Sequence, residues 1–156
     1  MKNYLQVFIL VLVINAKAQV VTNNTELQNA ISNAQAGTII ELADGIWQDV
    51  QLSINVNATE SQPCIIKAQN PGNVFFEGRS NISIGGSYII FEGVIFQNAS
   101  GLITDGDKIE PIIEFRDTSN NDCVNCTVRN IKIDSYNGTV SQETLKFKWV
   151  VIYGEY

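Results

Sequence analysis

The sequence contains no histidine. That removes Ser-His-Asp and Cys-His nucleophile sites, and every metal centre built on imidazole. Cysteine is scarce as well: Cys64, Cys123 and Cys126 are the three present. A zinc site on the Cys123/Cys126 pair would need two more ligands, which the chain does not offer in imidazole form. Proline occurs three times, and the single methionine is Met1. Cations are few, 10 Lys and Arg against 16 Asp and Glu, for a formal charge of −6. No basic cluster occurs, which argues against a nucleic-acid partner. There is no Walker loop and no dinucleotide-binding glycine fingerprint.

Long apolar runs are also missing, with one exception. Leu5–Ile14 is apolar except for Gln6, follows the positive Lys2, and precedes the small-x-small triplet Ala16-Lys17-Ala18. This is the pattern of a secretory signal peptide over residues 1–18, cleaved between Ala18 and Gln19. The run is too short to span a bilayer. The expected location is therefore secreted or periplasmic. Cleavage would remove Lys2 and Lys17, so the 10 basic residues fall to 8 and the charge moves from −6 to −8.

What is present is strand grammar. Apolar residues make up 45% of the 156 residues, enough for one packed domain. Between Pro63 and Ser100, four runs rich in Ile, Val and Phe follow one another: Cys64–Ala68, Val74–Glu77, Ile82–Ile84 and Tyr88–Gln97. Gly, Asn, Pro and Ser separate them, and no helix fits in the gaps. Displacing Tyr88–Ser100 by 37 positions lays it on Asn125–Asn137. Ile89, Phe91, Val94 and Phe96 then meet Cys126, Val128, Ile131 and Ile133, while the alternate positions are mostly polar. The same displacement carries Ile112–Arg116 onto Trp149–Tyr153. Two separate strands sharing one register predict a β-solenoid of stacked coils, with a β-sandwich as the alternative. The surplus over a coil of roughly 20–30 residues is assigned to loops Gly101–Pro111 and Gly138–Lys146.

One helix is expected, over Asn23–Gly37. Asn23 and Glu26 have capping-box spacing, Leu27, Ala30, Ile31 and Ala34 form one apolar face, and Gly37 is a natural stop. Its role is to cap the first coil. Trp47 is expected in the core or at its rim. Cys64 and Cys126 read as small buried hydrophobes. A Cys123–Cys126 bridge is compatible with export but would disturb strand alternation. Asp105, Asp107 and Glu110 in the Gly101–Pro111 loop offer oxygen ligands without a complete calcium-loop pattern, so a solvated polar loop is expected. N-x-S/T triplets begin at Asn23, Asn57, Asn81, Asn98, Asn125 and Asn137. In a packed solenoid they read as turn asparagines rather than glycan acceptors. The residues alone describe a scaffold with no complete active site.

A set of short motifs, in order along the chain, carries a resemblance. They are Glu41-Leu42-Ala43-Asp44-Gly45-Ile46-Trp47, Pro63-Cys64-Ile65-Ile66-Lys67-Ala68, Pro71-Gly72-Asn73-Val74 and Glu77-Gly78-Arg79-Ser80-Asn81. Tyr88–Asn98, Ile112–Arg116 and Trp149–Gly154 continue the series. The chain resembles the N-terminal part of polysaccharide lyase family 6, which includes alginate lyases and the chondroitinase B type of dermatan sulfate lyase. The resemblance implies an all-β, right-handed parallel β-helix. It also implies cleavage of uronate polymers by β-elimination, with calcium held by Asn and Glu, a Lys as base and an Arg assisting the leaving oxygen. Alginate is the expected partner, with dermatan sulfate second. A non-catalytic carbohydrate-binding or surface β-helix is the alternative.

The family's catalytic and calcium-binding groups lie beyond the Trp-Val-x-x-Tyr-Gly segment, so residues 19–156 are expected to be the opening coils of a longer lyase domain, interrupted mid-helix. No catalytic or metal residue is assigned here, and Lys132, Lys146 and Lys148 are not given the role of base. Arg79 and Arg116 occupy family-typical positions without an assigned role. The fragment alone is expected to be inactive.

Overall fold

A computed structural model describes residues 18–101, 104–105, 108–109, 111–136 and 148–153. The one helix among them, α1 (Asn24–Ser32), follows strand β1 (Gln19–Val21). The next strands are β2 (Ile39–Leu42), β3 (Gly45–Gln48), β4 (Gln51–Asn57), β5 (Cys64–Ala68), β6 (Val74–Gly78) and β7 (Asn81–Ser87). Then come β8 (Ile89–Glu92), β9 (Val94–Ala99), the short hairpin β10 (Thr104–Asp105) and β11 (Lys108–Ile109), and β12 (Ile113–Phe115). The series closes with β13 (Cys123–Val124), β14 (Thr127–Arg129), β15 (Lys132–Ile133) and β16 (Val150–Ile152).

Apart from that hairpin, every named strand pair is parallel. The strands collect into three sheets: β1-β2-β5-β8-β14, β3-β6-β9-β15, and a third in which β4 pairs with β7, and β7 with both β12 and β13. Strand β16 then pairs with β12. Each coil thus contributes one strand to each sheet, which is a parallel β-helix. The displacement read from sequence is the register of the fourth coil. Thr127 pairs with Ile90, Lys132 with Ile95 and Ile113 with Val150, and the bonded Glu92–Arg129 pair shows the same separation of 37.

The corners explain why the coils stack. In the third coil the chain turns at Tyr88, Gly93 and Asn98, with φ of 50°, 86° and 52°. In the fourth it turns at Asn125, Asn130 and Ser135, with φ of 55°, 54° and 52°. These are the same three positions displaced by one register, and each takes the left-handed backbone that bends a strand sharply. Two of the N-x-S/T triplets, at Asn98 and Asn125, therefore open on corner residues, as the turn reading expects.

Between corners, alternate side chains fill the interior. Ile40, Ile66 and Phe91 stack in register in the first sheet, and Trp47, Phe76 and Phe96 in the second; all six are buried. Burial of each such side chain stabilises by roughly 1.5–3 kcal/mol. Trp47 takes its expected interior place and donates its indole N–H to Ala43 O at 3.0 Å. Fully buried Tyr136 extends the aromatic stack edge-on to Phe96. Its hydroxyl accepts from Ser80 N and donates to Gly78 O, both at 2.6 Å. On the outside of the first sheet, Glu41, Lys67, Glu92 and Arg129 form an alternating row across four strands.

Helix α1 covers the first coil, burying Leu27, Ala30 and Ile31. Asn24 and Gln28 donate to Gln48 O and Gln51 O, carbonyls at the ends of β3 and β4. The helix is shorter than expected, because the Asn33 side chain donates to Asn29 O at 2.7 Å and the next turn tightens, with Ala34 N bonded to Ile31 O. Gly37 lies beyond the helix, at φ 82°, where its N–H reaches Gln62 O of the next coil. The capping box is also displaced. Asn23 accepts from Glu26 N, and the Glu26 carboxylate accepts from Thr22 N at 2.7 Å, one residue before the cap.

The cysteines correct a second expectation. Cys64 is buried and free, but Cys126 is joined to Cys123 and only half-buried. Alternation is undisturbed because the bridge closes a corner. Cys123 opens the two-residue β13, Asn125 turns left-handed, and Cys126 precedes β14.

Candidate functional site

The outer face of the third sheet holds polar side chains on a shaped surface. Strand alternation sends Leu52, Ile54, Ile82 and Ile84 inward, so Gln51, Ser53, Asn55, Asn81 and Ser83 face outward. Register then aligns Ser53, Ser83 and Glu114 in one row across three strands. A groove of about 400 Å³ is lined by these residues together with Pro111 and Thr118.

One wall of this groove is an insertion. The third-sheet strand of the third coil is split into β12 and β13, and residues 116–122 loop out between them, closed by the Arg116–Asp122 bridge. The loop is organised on Asp117, a buried carboxylate. Its oxygens accept from Ser119 N (2.9 Å), Asn121 N (2.8 Å), Asn121 Nδ2 (2.8 Å) and Asn55 Nδ2 (2.5 Å). Burial alone would raise the carboxyl pKa, but the hydrogen bonds from Asn121, Asn55 and Ser119 outweigh it and hold the group below its usual range. Gly85 makes the approach possible. A Cβ there would lie 2.6 Å from Asn121 O and 2.9 Å from Asp117 Cβ. Thr118 then rests on β4, its hydroxyl 2.9 Å from that of Ser53.

Beside the loop, Arg116 Nε donates to Asp122 at 2.6 Å, and the guanidinium lies 3.9 Å from the centre of the Tyr153 ring. The Asp122 hydrogen bond raises the Arg116 pKa further, so this cation is permanent. The Tyr153 phenol is raised above its usual value, first by its hydrogen bond with Glu114 and then by burial. Arg116 is thus tied into the fourth coil through Tyr153 and into its own loop through Asp122. Both partners fit a structural role.

Three further cations are similarly engaged. Lys67, Arg129 and Lys132 each pair with a carboxylate. Arg79 is exposed, its backbone N–H held by Asp49 at 2.8 Å, and among the described residues no carboxylate pairs with its side chain. Lys148 is exposed, and Lys146 lies outside the described residues. Of the Asp105, Asp107 and Glu110 set, Asp105 sits in the β10–β11 hairpin and the other two lie outside the described residues. Among the described residues no three His, Cys, Asp or Glu side chains converge to hold a metal ion. No helix among them is long and apolar enough to cross a membrane.

Sequence reasoning missed the 116–122 loop and its buried aspartate. The signal was there in two parts, the turn-forming run Asp117-Thr118-Ser119-Asn120-Asn121-Asp122 and the Gly85-Gly86 pair in a strand. Only the fold shows that one packs on the other.

Comparison with known proteins completes the picture. The chondroitinase B family model matches residues 21–156. No match is found among curated proteins. Among solved structures, the PL6 family alginate lyase AlyGC is similar at 26% identity and TM-score 0.76, over 88% of this chain and 18% of that one. A PL6 family polysaccharide lyase from Pseudopedobacter saltans is similar at 29% identity and TM-score 0.68, over 85% and 28%. A mannuronic acid specific family 6 lyase from human gut microbiota shares the fold at 19% identity and TM-score 0.69, over 86% and 31%. The chain therefore spans less than a third of the length of each. With a family model matched along nearly its whole length and the parallel β-helix that model's relatives share, the chain belongs to the chondroitinase B family.

Proposed function

We propose that this chain is the N-terminal portion of a secreted polysaccharide lyase acting on uronate polymers, with alginate first and dermatan sulfate second. The observation that carries the reading is the family match over residues 21–156. Alginate comes first because AlyGC, 26% identical, is an alginate lyase. The reaction is β-elimination. A base removes the C5 proton of the uronate, the electron pair forms the C4=C5 bond, and the glycosidic oxygen leaves from C4 and takes up a proton. A cation beside the carboxylate would stabilise the charge that develops there. We assign those roles to a Lys, an Arg and an Asn/Glu calcium set on coils other than those described here. The contribution of these coils is the N-terminal cap and the rigid stack on which the others register.

Export rests on the Met1–Ala18 pattern, most of which lies outside the described residues, with Gln19 as the mature N-terminus. The Cys123–Cys126 bridge is consistent with it, since such bridges persist in oxidising compartments. The test is to express the complete natural protein and incubate it with alginate and with dermatan sulfate, following the ultraviolet absorbance of unsaturated uronate ends. Accumulation with alginate supports the reading. Accumulation with neither substrate, from a folded protein supplied with calcium, would leave a non-catalytic binding β-helix in its place. N-terminal sequencing of the exported protein should begin at Gln19.

A further inference from the structure

We propose that the Cys123–Cys126 bridge is a redox-sensitive clasp: a dithiol reductant opens it in the folded protein, and its opening loosens the entry into the fourth coil while the earlier coils stay intact. The clasp is independent of the lyase reading. Two equivalent corners differ in what holds them. The chain enters the third coil at Tyr88 and the fourth at Asn125, both left-handed, at φ 50° and 55°. Register lays Cys123 on Gly86 and Val124 on Ser87, so Cys126 takes the place of Ile89. Behind Tyr88 runs the seven-residue β7, paired with β4 along its whole length, and the Ile89 that follows is fully buried. Behind Asn125 runs only the two-residue β13, and the Cys126 that follows is half-buried. The earlier corner closes on strand pairing and an apolar anchor, with no bridge. The later corner has less of both, and the disulfide stands in their place.

The bridge also borders the 116–122 loop. Cys123 follows Asp122, whose carboxylate accepts from Arg116 Nε at 2.6 Å and whose carbonyl accepts from Gly86 N at 3.1 Å. Loosening the corner therefore loosens the seat of this loop on β7. The bridge lies near the surface, since Val124 and Asn125 between the two cysteines are exposed, Val124 by 57%. A ring over two intervening residues restrains the unfolded chain less than a long one does, and exposed bridges are the readily reduced ones. In the exchange, a thiolate of the reductant attacks one sulfur and the S–S bond breaks, leaving a mixed disulfide. The second thiol of the reductant then displaces the cysteine. The protein takes up two electrons and two protons as two thiols, and the reductant leaves as its own disulfide.

The complete natural protein carries an internal control in Cys64, which is buried and free. The protein is treated under native conditions with dithiothreitol, or with thioredoxin and its reductase, then alkylated and mapped peptide by peptide. The expected result is labelling of Cys123 and Cys126 with Cys64 untouched. Amide hydrogen exchange across residues 122–129 should then quicken at least tenfold, with β4 and β5 unchanged. The double variant Cys123→Ser/Cys126→Ser should exchange like the reduced protein, and reduced wild type keeps the test informative if that variant fails to fold. Resistance of the bridge to both reductants would overturn the proposal. So would labelling of the pair only together with Cys64, which would mean that the bridge opens by global unfolding, or exchange across residues 122–129 that reduction leaves unchanged.

Discussion

Asp117 shows how one residue can fix a segment that no hydrophobic contact would hold. Its carboxylate gathers donors from Ser119 and Asn121 of its own loop and from Asn55 of β4, 62 residues away in sequence. Replacing it with Ala would leave these donors without an acceptor in a site that water reaches poorly. We expect Asp117→Ala to lower stability by about 2–3 kcal/mol, measured as a shift in the urea midpoint at neutral pH. The effect should depend on pH. The folded-state pKa lies below the ordinary value, so the unfolded chain takes up the proton more readily. The stabilisation is full above the ordinary carboxylate range, about 3.9, and is lost as pH falls through the lower folded value. Wild type and Asp117→Ala should therefore converge in acid. An undiminished gap there would show that the charge is not what the loop needs. Cys64 makes the opposite case, a reactive group silenced by packing. Burial pushes its thiol up to about 11, so little thiolate forms at neutral pH. In the native protein the peptide bearing Cys64 should resist alkylation and on denaturation it should be labelled, whereas the peptide bearing Cys123 and Cys126 should be labelled only after reduction. Labelling of the native state would contradict the buried placement.

At the scale of the element, the corners decide whether coils stack. Gly86 and Gly45 provide a controlled contrast, since both have positive φ, 89° and 131°. A Cβ on Gly86 would lie 2.4 Å from Val56 O, in the backbone of the neighbouring coil, whereas a Cβ on Gly45 meets nothing within 4 Å. Gly45→Ala should cost only the conformational penalty, about 1 kcal/mol. Gly86→Ala must in addition push two paired strands apart, so it should cost clearly more, by several degrees in thermal midpoint. Equal midpoints would refute the close approach. The same contrast shows what a sequence reveals. The coil register was legible because inward positions in consecutive coils must all be apolar, which leaves a displacement of 37 visible in the letters. The N-terminal cap was legible because helices carry periodicity. The corner disulfide and the 116–122 loop were not, because each depends on two segments meeting in space. Cys126 looks like Ile89 in a one-dimensional alignment, and Gly85 looks like a weak strand residue until Asn121 is seen above it.

The whole molecule is a stack whose two ends differ. At the first coil, β1 and α1 cover the cross-section, and Leu27, Ala30 and Ile31 are buried there. At the fourth coil, a cavity of about 510 Å³ is lined largely by apolar side chains, among them Ile113, Val128, Ile131, Ile133 and Val150. Trp149, Val150 and Ile152 are each at least half exposed. Each apolar side chain in that position forgoes roughly 1.5–3 kcal/mol of burial, and among the described residues β14 and β16 end their sheets, as edges that can pair with another chain. In the similar lyase structures the matched region is 18% and 28% of the chain. A polypeptide limited to Gln19–Tyr156 would show this face to water. Such a polypeptide should bind a hydrophobic dye such as ANS, elute as oligomers, and melt without a sharp transition, whereas the complete protein should be dye-silent and cooperative. A monodisperse, dye-silent monomer with a cooperative melt would mean that the fourth coil closes its own end. The stack would then be a self-sufficient domain rather than a foundation for further coils.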